Sequence, residues 1–339
     1  MIIKTLFLYR RILNFILLFF VILFFVLANL VVDVFRPADK HGVISILNIQ
    51  KGTTTSQIGE ILYEKKLIVN KNLFIFLAKT MSFSTNLKAG TYKINSSNNM
   101  FVILNKLNKG DYLKIQFTVP EGYTLDQING LLIQKKIISG KKFQKLVNTS
   151  LGGKILGLKT KTLEGYLFPD TYFIALGKNI EIDIIKMMHN RLKQTFAVHL
   201  KQRAIKLNLS LQEVLILASL IEKEAKIKEE KYLVSSVFHN RLKKKLKLEA
   251  CSTVRYSSKN YKNKLTYNSL KIKSPYNTYK YYGLPPSAIC NPGKDAIIAA
   301  LYPAKTNYLY FVLKDKMGFH YFSSTFKEHN KMVKKLRKK

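Results

Sequence analysis

The 339-residue sequence contains no tryptophan, two cysteines, six histidines, and 20 acidic residues against 57 basic ones. Each shortage excludes something. Without Trp, any flat aromatic platform must be built from the 19 Tyr or 21 Phe. The histidines are scattered, with no H-E-x-x-H and no Cys/His spacing of a zinc site, so neither a metal nor another cofactor is expected. Two cysteines, Cys251 and Cys290, allow at most one disulfide and no disulfide scaffold. Ser324 and Lys327 have the S-x-x-K spacing of one serine-hydrolase class, but no S-D-N, K-T-G or G-x-S-x-G accompanies them.

The scarcity of acids leaves a formal net charge of +37, and Lys outnumbers Arg roughly six to one. Readers of nucleic acid use Arg for bidentate contacts, and no reader motif is present, so nucleic acid is not an expected partner. A basic surface still favours an anionic polymer or anionic lipid headgroups. Residues 12–32 are apolar apart from Asn14 and Asn29. About 20 such residues cross a hydrocarbon core of about 30 Å. Lys4, Arg10 and Arg11 precede the run and Asp33 follows it. The positive-inside rule then gives a cytoplasmic segment 1–11, a transmembrane helix 12–34, and everything after Phe35 outside, as in a single-pass inner-membrane protein with a periplasmic bulk. The rival is a cleaved signal at Val26-Leu27-Ala28; the length of the run and the bulky residues after it favour a retained anchor.

Beyond a polar linker at 36–43, the chain repeats itself at an offset of about 70 residues. Gly52-Thr53-Thr54 and Gln57-Ile58 match Gly122-Tyr123-Thr124 and Gln127-Ile128; Leu62, Lys65, Lys66 and Ile68 match Leu132, Lys135, Lys136 and Ile138. Each copy reads as a strand, a glycine turn, a helix, and a short second helix around Phe74 or Phe143, and the first continues through Gly90 into a closing strand. Such a strand–helix–helix–strand unit resembles a LysM-type glycan-binding module; a packing module without ligand has the same pattern. The expected organisation is α+β: a transmembrane helix, a LysM-like module at 44–112, a second related α/β segment at 113–158, and a mixed α+β domain at 159–339. In that last domain helices are expected at 180–207, 211–226, 230–244 and 293–301, a strand pair at 308–313 and 319–322, and a solvated basic end at 334–339.

Glu222 sits where a carboxylate is costly. Ser210 with Glu213 makes a capping-box start, and at about 100° per residue Leu211, Val214, Leu215, Ala218, Ile221 and Ala225 share an arc that includes Glu222. Lys223 and Glu224 point away from it. A carboxyl buried on such a face takes up a proton and can then act as a general acid. The alternative is an edge carboxylate paired with a lysine.

Six segments in order, 163–172 (LEGYLFPDTY), 218–224 (ASLIEKE), 237–242 (VFHNRL), 274–279 (SPYNTY), 283–286 (GLPP) and 303–311 (PAKTNYLYF), are similar to those of the MltG/YceG-like endolytic murein transglycosylases, as is 119–123 (VPEGY). The resemblance covers nearly the whole chain. It implies cleavage of the β-1,4 bond between N-acetylmuramic acid and N-acetylglucosamine without water, leaving a 1,6-anhydro end on nascent glycan strands at the membrane, with Glu222 as the acid. It also implies cooperation with peptidoglycan synthases. A rival of another class is a membrane-anchored peptidoglycan-binding scaffold with a dead site.

Within these segments Glu164, Tyr166 and Asp170 are candidates to orient Glu222 or bind sugar hydroxyls, or else to hold a tight turn. Asn240 and Arg241 are candidates for an acetamido group or a stem-peptide carboxylate, or for a structural tie. Tyr276, Asn277, Thr278 and Tyr279 are candidates to line a groove. Many family members carry Asp-Pro-Thr-Val-x-Tyr where this chain reads LEACSTVRY over 248–256, with Cys251 and Ser252 at the Asp-Pro position. Cys251 and Cys290 flank the proposed groove loops and lie outside the cytoplasm in this topology, so a disulfide between them is expected, against two separate small apolar residues.

Overall fold

The computed structural model describes residues 2–175, 179–259 and 265–337. Met1, the side chains of Lys4, Arg10 and Arg11, and the last two lysines of the basic C-terminal run lie outside the described residues. The apolar run forms one helix, α1 (Ile2–Phe35). Its part Asn14–Phe35, with mean hydropathy 3.2, is the one described helix long and apolar enough to cross a membrane by itself.

The chain divides into two compact units, Met1–Ile115 with Ile174–Lys178, and Gln116–Phe173 with Asn179–Lys339. In the first, β1 (Ile44–Ile49) leads to α2 (Thr55–Glu64), α3 (Lys71–Thr80), β2 (Gly90–Asn95) and α4 (Met100–Lys109). β1 runs antiparallel to β2, from Ile44 opposite Asn95 to Ile49 opposite Gly90. The period-2 alternation sends Leu47, Ile49, Tyr92 and Ile94 inward, onto Ile58 and Leu62 of α2, Phe74 of α3 and Ile103 and Leu107 of α4. The repeated residues act as punctuation. Thr54 and Gln57 close a capping box at the start of α2. Lys66 then takes a left-handed conformation (φ 54°) just beyond its end.

The second copy uses the same signals. β3 (Lys114–Thr118) precedes α5 (Leu125–Gln134) and α6 (Lys141–Val147), with α7 (Ser150–Leu156) next. Thr124 and Gln127 form the capping box of α5, and Lys136 has φ 56°. Here β3 pairs with β4 (Thr171–Ala175), so this copy is not closed by a strand directly after its second helix.

The second unit continues with α8 (Ile180–Thr195), α9 (Val198–Lys206), α10 (Leu211–Glu224), α11 (Lys228–Lys243), α12 (Cys251–Ser257) and a short 3-10 turn. It ends with α13 (Lys294–Leu301), the hairpin of β5 (Tyr310–Leu313) and β6 (His320–Ser323), and α14 (Phe326–Arg337). The single helix expected over 180–207 is two. Phe196 leaves helical geometry to bury its ring, 4% exposed, and Ala197 restarts the chain in an extended conformation. α10 is the central helix, packed against α9, α11, α12 and α13. The fold is thus mixed α+β with one apolar N-terminal helix.

Candidate active site

α10 starts at Ser210, whose hydroxyl accepts from the Glu213 amide while the Glu213 side chain accepts from the Ser210 amide. From Val214 to Ile221 every residue of the helix is buried. The single apolar arc is therefore too narrow a description: neighbouring helices cover this stretch on all sides. What singles out Glu222 is its place at the point where the covered stretch ends.

The Glu222 side chain is 10% exposed and fully partnered. Lys231 Nζ, on α11, donates to both carboxylate oxygens at 3.0 and 3.1 Å. The amide of Gly293, which caps the start of α13, donates to Oε2 at 3.1 Å. A helix start carries partial positive charge, so both partners favour an anion at this place. The buried acid expected from the sequence is thus held as an ion pair, the alternative weighed there. Gly122, left-handed at φ 76°, lies beside it: a Cβ there would sit 3.5 Å from Glu222 Cγ.

A second carboxylate stands at the same cation. Glu121 Oε2 lies 3.8 Å from Lys231 Nζ, with the Glu121 side chain half exposed and that of Lys231 7% exposed. Its carboxyl lies over Gly293, where any Cβ would collide with it. Partial burial, then the neighbouring charge of Glu222, push the Glu121 carboxyl above the usual range, against the pull of Lys231.

Lys223 and Glu224, the two residues after Glu222, line a cleft of about 710 Å³. Its other walls include Gln127 of α5, Ser252, Arg255 and Tyr256 of α12, and His320 of β6. Glu224 accepts from the Ser252 amide at 3.0 Å, which ties α10 to the start of α12. His320 is fixed by Glu230, Nδ1 to Oε2 at 2.7 Å.

The other sequence candidates fare differently. Glu164 is 3% exposed and bonds not to Glu222 but to the Leu125 amide, Asn291 Nδ2 (3.0 Å) and the Tyr256 hydroxyl (3.2 Å). Burial pushes its carboxyl up to about 8. Tyr166 is buried beside His189, at 6.3 Å between ring centroids. Asp170 pairs with Arg191 at 2.5 Å and lines a separate groove with Asp183 and Lys186. Neither residue bonds to Glu222 or lines the cleft.

Asn240 donates to the carbonyls of Thr306 and Tyr308, both at 2.9 Å. Arg241, 6% exposed, bonds the carbonyls of Leu309 and Lys247 and the Glu249 carboxylate, and stacks on Tyr310. These two side chains lace α11 to the strand and loop beside it. Asn277, 0% exposed, binds the carbonyls of Leu270 and Ile272. Thr278 accepts from the Ala250 amide at 3.0 Å. Both hold their own loop. Tyr276 and Tyr279 remain part-exposed; the Tyr276 hydroxyl meets Ser287 Oγ at 2.7 Å, and Tyr279 lines a groove with Lys247 and Tyr267.

The expected disulfide is absent. Cys290 is buried against the Ser219 carbonyl at 3.5 Å, while Cys251 is exposed and meets the Tyr279 hydroxyl at 3.0 Å. One thiol packs into the core under α10 and the other borders the cleft, so flanking the same loops in sequence did not make them neighbours. Sequence reasoning missed Glu121, Lys231 and Gly293. The VPEGY segment was the available signal for Glu121; nothing marks Lys231 among 57 basic residues.

The profile of the YceG-like family matches residues 47–335 of this chain. A protein of Bacillus subtilis (strain 168) named endolytic murein transglycosylase is 36% identical over 321 residues, covering 89% of this chain and 88% of that protein. A protein of the same name from Streptococcus pneumoniae (strain ATCC BAA-255 / R6) is 31% identical over 340 residues; the match covers 89% of this chain but 60% of that relative. The crystal structure of a YceG-like protein from Listeria monocytogenes superposes with a TM-score of 0.58 at 34% identity, over 86% of this chain and 99% of the other.

Proposed function

The chain belongs to the YceG-like family, and from that premise we propose that it is a lytic transglycosylase of peptidoglycan that cuts nascent glycan endolytically and so ends strand growth. The observation that carries this is Glu222, a carboxylate 10% exposed at the end of a covered helix, whose next two residues line a cleft. Ordinary glycosidases need two carboxyl groups, one for the leaving oxygen and one as nucleophile or base for water. A lytic transglycosylase needs fewer, because its substrate supplies the nucleophile. Glu222 gives a proton to the glycosidic oxygen between N-acetylmuramic acid and N-acetylglucosamine. The C6 hydroxyl of the muramoyl residue attacks its own anomeric carbon, and its proton goes to the Glu222 carboxylate. The glycosidic bond breaks, the 1,6-anhydro bond forms, and the acid is regenerated. The attack is intramolecular and carries a large effective-molarity advantage.

The apolar segment Asn14–Phe35 supports a membrane anchor, with residues 1–11 cytoplasmic and the rest outside, where the glycan is made. The antiparallel β1–β2 pair with its two intervening helices supports a LysM-like module at 44–112 with a related segment at 113–158; the catalytic domain is then 159–339. Peptidoglycan synthases are the proposed partners. Mass spectrometry of muropeptides released from sacculi by the purified protein tests the activity. New 1,6-anhydro ends inside long strands are expected; reducing ends, or none, would sink it.

A further inference from the structure

The proposed reaction leaves one question of charge open. Glu222 must be neutral when it gives its proton, yet its main partner is an ammonium whose side chain is 7% exposed. When Glu222 is a carboxylate, Lys231 is paired with it at 3.0 Å. When Glu222 is protonated, that ion pair is gone, and a buried cation without a partner opposes the change. The only other carboxylate paired with Lys231 among the described residues is that of Glu121, at 3.8 Å. The missing side chain of Gly293 leaves room for the Glu121 carboxyl at this place.

We infer that Glu121 is a positioning residue of the reaction: it takes over the Lys231 ammonium when Glu222 holds its proton and returns it when Glu222 is charged. The inference rests on the reading of Glu222 as the acid. The balance is complete. In the resting form two carboxylates share one ammonium, a net charge of −1. Proton uptake by Glu222 leaves a neutral acid beside a Lys231–Glu121 pair, and donation to the glycosidic oxygen restores the shared state. A shift of the cation between two acceptors is the only movement required.

Other charges face the cluster. Lys223 on α10 approaches Gly122, and Asp295 on α13 adds to the negative field at Glu121 while itself paired with Lys228 of α11 at 3.0 Å. The buried thiol of Cys290 lies close enough to sense both Glu222 and Lys231, and burial raises it, so it stays neutral. None of these offers Lys231 an acceptor in place of Glu121.

The test uses the full chain in detergent, with glycan strands as substrate and release of anhydro ends followed across pH. Glu121→Gln is expected to move the alkaline limb of the rate profile at least about one pH unit lower, so that activity falls about tenfold near neutrality and recovers on acidification. Lys231→Met should move that limb the other way, and Glu121→Asp should restore most of the wild-type profile. A profile for Glu121→Gln that overlies the wild type, or a loss uniform across pH, overturns the inference. A second readout does not depend on activity: the carboxyl carbon resonance of Glu222, assigned by its absence in Glu222→Gln. Its titration midpoint should fall in Glu121→Gln. A shifted midpoint in a protein that makes no anhydro ends would retain the charge coupling and reject the transglycosylase reading; an unmoved midpoint rejects the coupling whatever the activity.

Discussion

The two copies of the internal repeat share their punctuation and differ in their use. Both start their first helix with a Thr/Gln capping box and end it at a left-handed lysine. In the first copy the turn is Lys51-Gly52, and a Cβ on Gly52 would meet nothing within 4 Å. In the second it is Glu121-Gly122, the Gly122 amide donates to the Asn291 carbonyl at 2.9 Å, and Glu222 lies against the glycine. Thr54 is exposed, whereas Thr124 is 1% exposed. One local motif thus serves twice: once to pack a small α/β unit, once to bring a glycine and a carboxylate to the candidate site. Local sequence fixes the shape of the turn; what the turn faces decides its job.

The sharpest way to break this contrast is at the residue that only the second copy meets. Glu222→Gln is expected to keep its thermal midpoint and lose at least about 100-fold in anhydro-end formation, as expected for loss of a general acid. Near-wild-type turnover in the folded variant would falsify the assignment.

Next comes Glu164, which accepts from the first turn of α5 in the second copy. Its carboxyl is raised from 4.5 to about 8 by burial, so between those values the folded unit holds a proton that the unfolded chain has released. Its contribution is fully present below about 4.5 and is lost as pH rises through about 8. Urea unfolding at several pH values should therefore show stability falling across that window, and Glu164→Gln should flatten the slope. An unchanged slope in the variant would remove Glu164 as the cause.

The caps give a smaller, graded difference. Thr124→Ala should cost about 2 kcal/mol and Thr54→Ala about 0.5–1 kcal/mol, because the Thr124 side chain is buried and that of Thr54 is exposed. Equal losses in calorimetry would mean that burial of the second cap is immaterial. The smallest effect is expected at Lys51→Gln, the counterpart of Glu121. Its stability should change by no more than about 0.5 kcal/mol, as for an exposed site, and its pH–rate profile should overlie the wild type.

Much of this was legible in the chain before its structure. The repeat was readable because caps and left-handed stops are local: Thr, Gln, Gly and Lys at fixed offsets impose their geometry whatever surrounds them. The apolar run was readable because length and composition alone decide whether a helix is long enough to span a bilayer. Glu222 stood out because a carboxylate beside Leu215 and Ala218 breaks the pattern around it. The arc around it was misjudged for a tertiary reason: a helix covered on all sides looks amphipathic only to a reader who allows it one partner.

What only the tertiary structure decided was partnership across distance. The side chains of Asn240, Arg241, Asn277 and Thr278 bond main-chain carbonyls and amides, and a buried polar group left unpaired is costly. Cys251 and Cys290 share an eligible compartment in sequence terms yet are separated by the packing of α10 and the cleft wall. The trio of Glu222, Lys231 and Glu121 is assembled from three separate segments, α10, α11 and the turn before α5. Sequence alone determined the apolar helix, the repeat and the exceptional glutamate, because each depends on near neighbours. The cation between two carboxylates depends on which segments meet, and folding alone decides that.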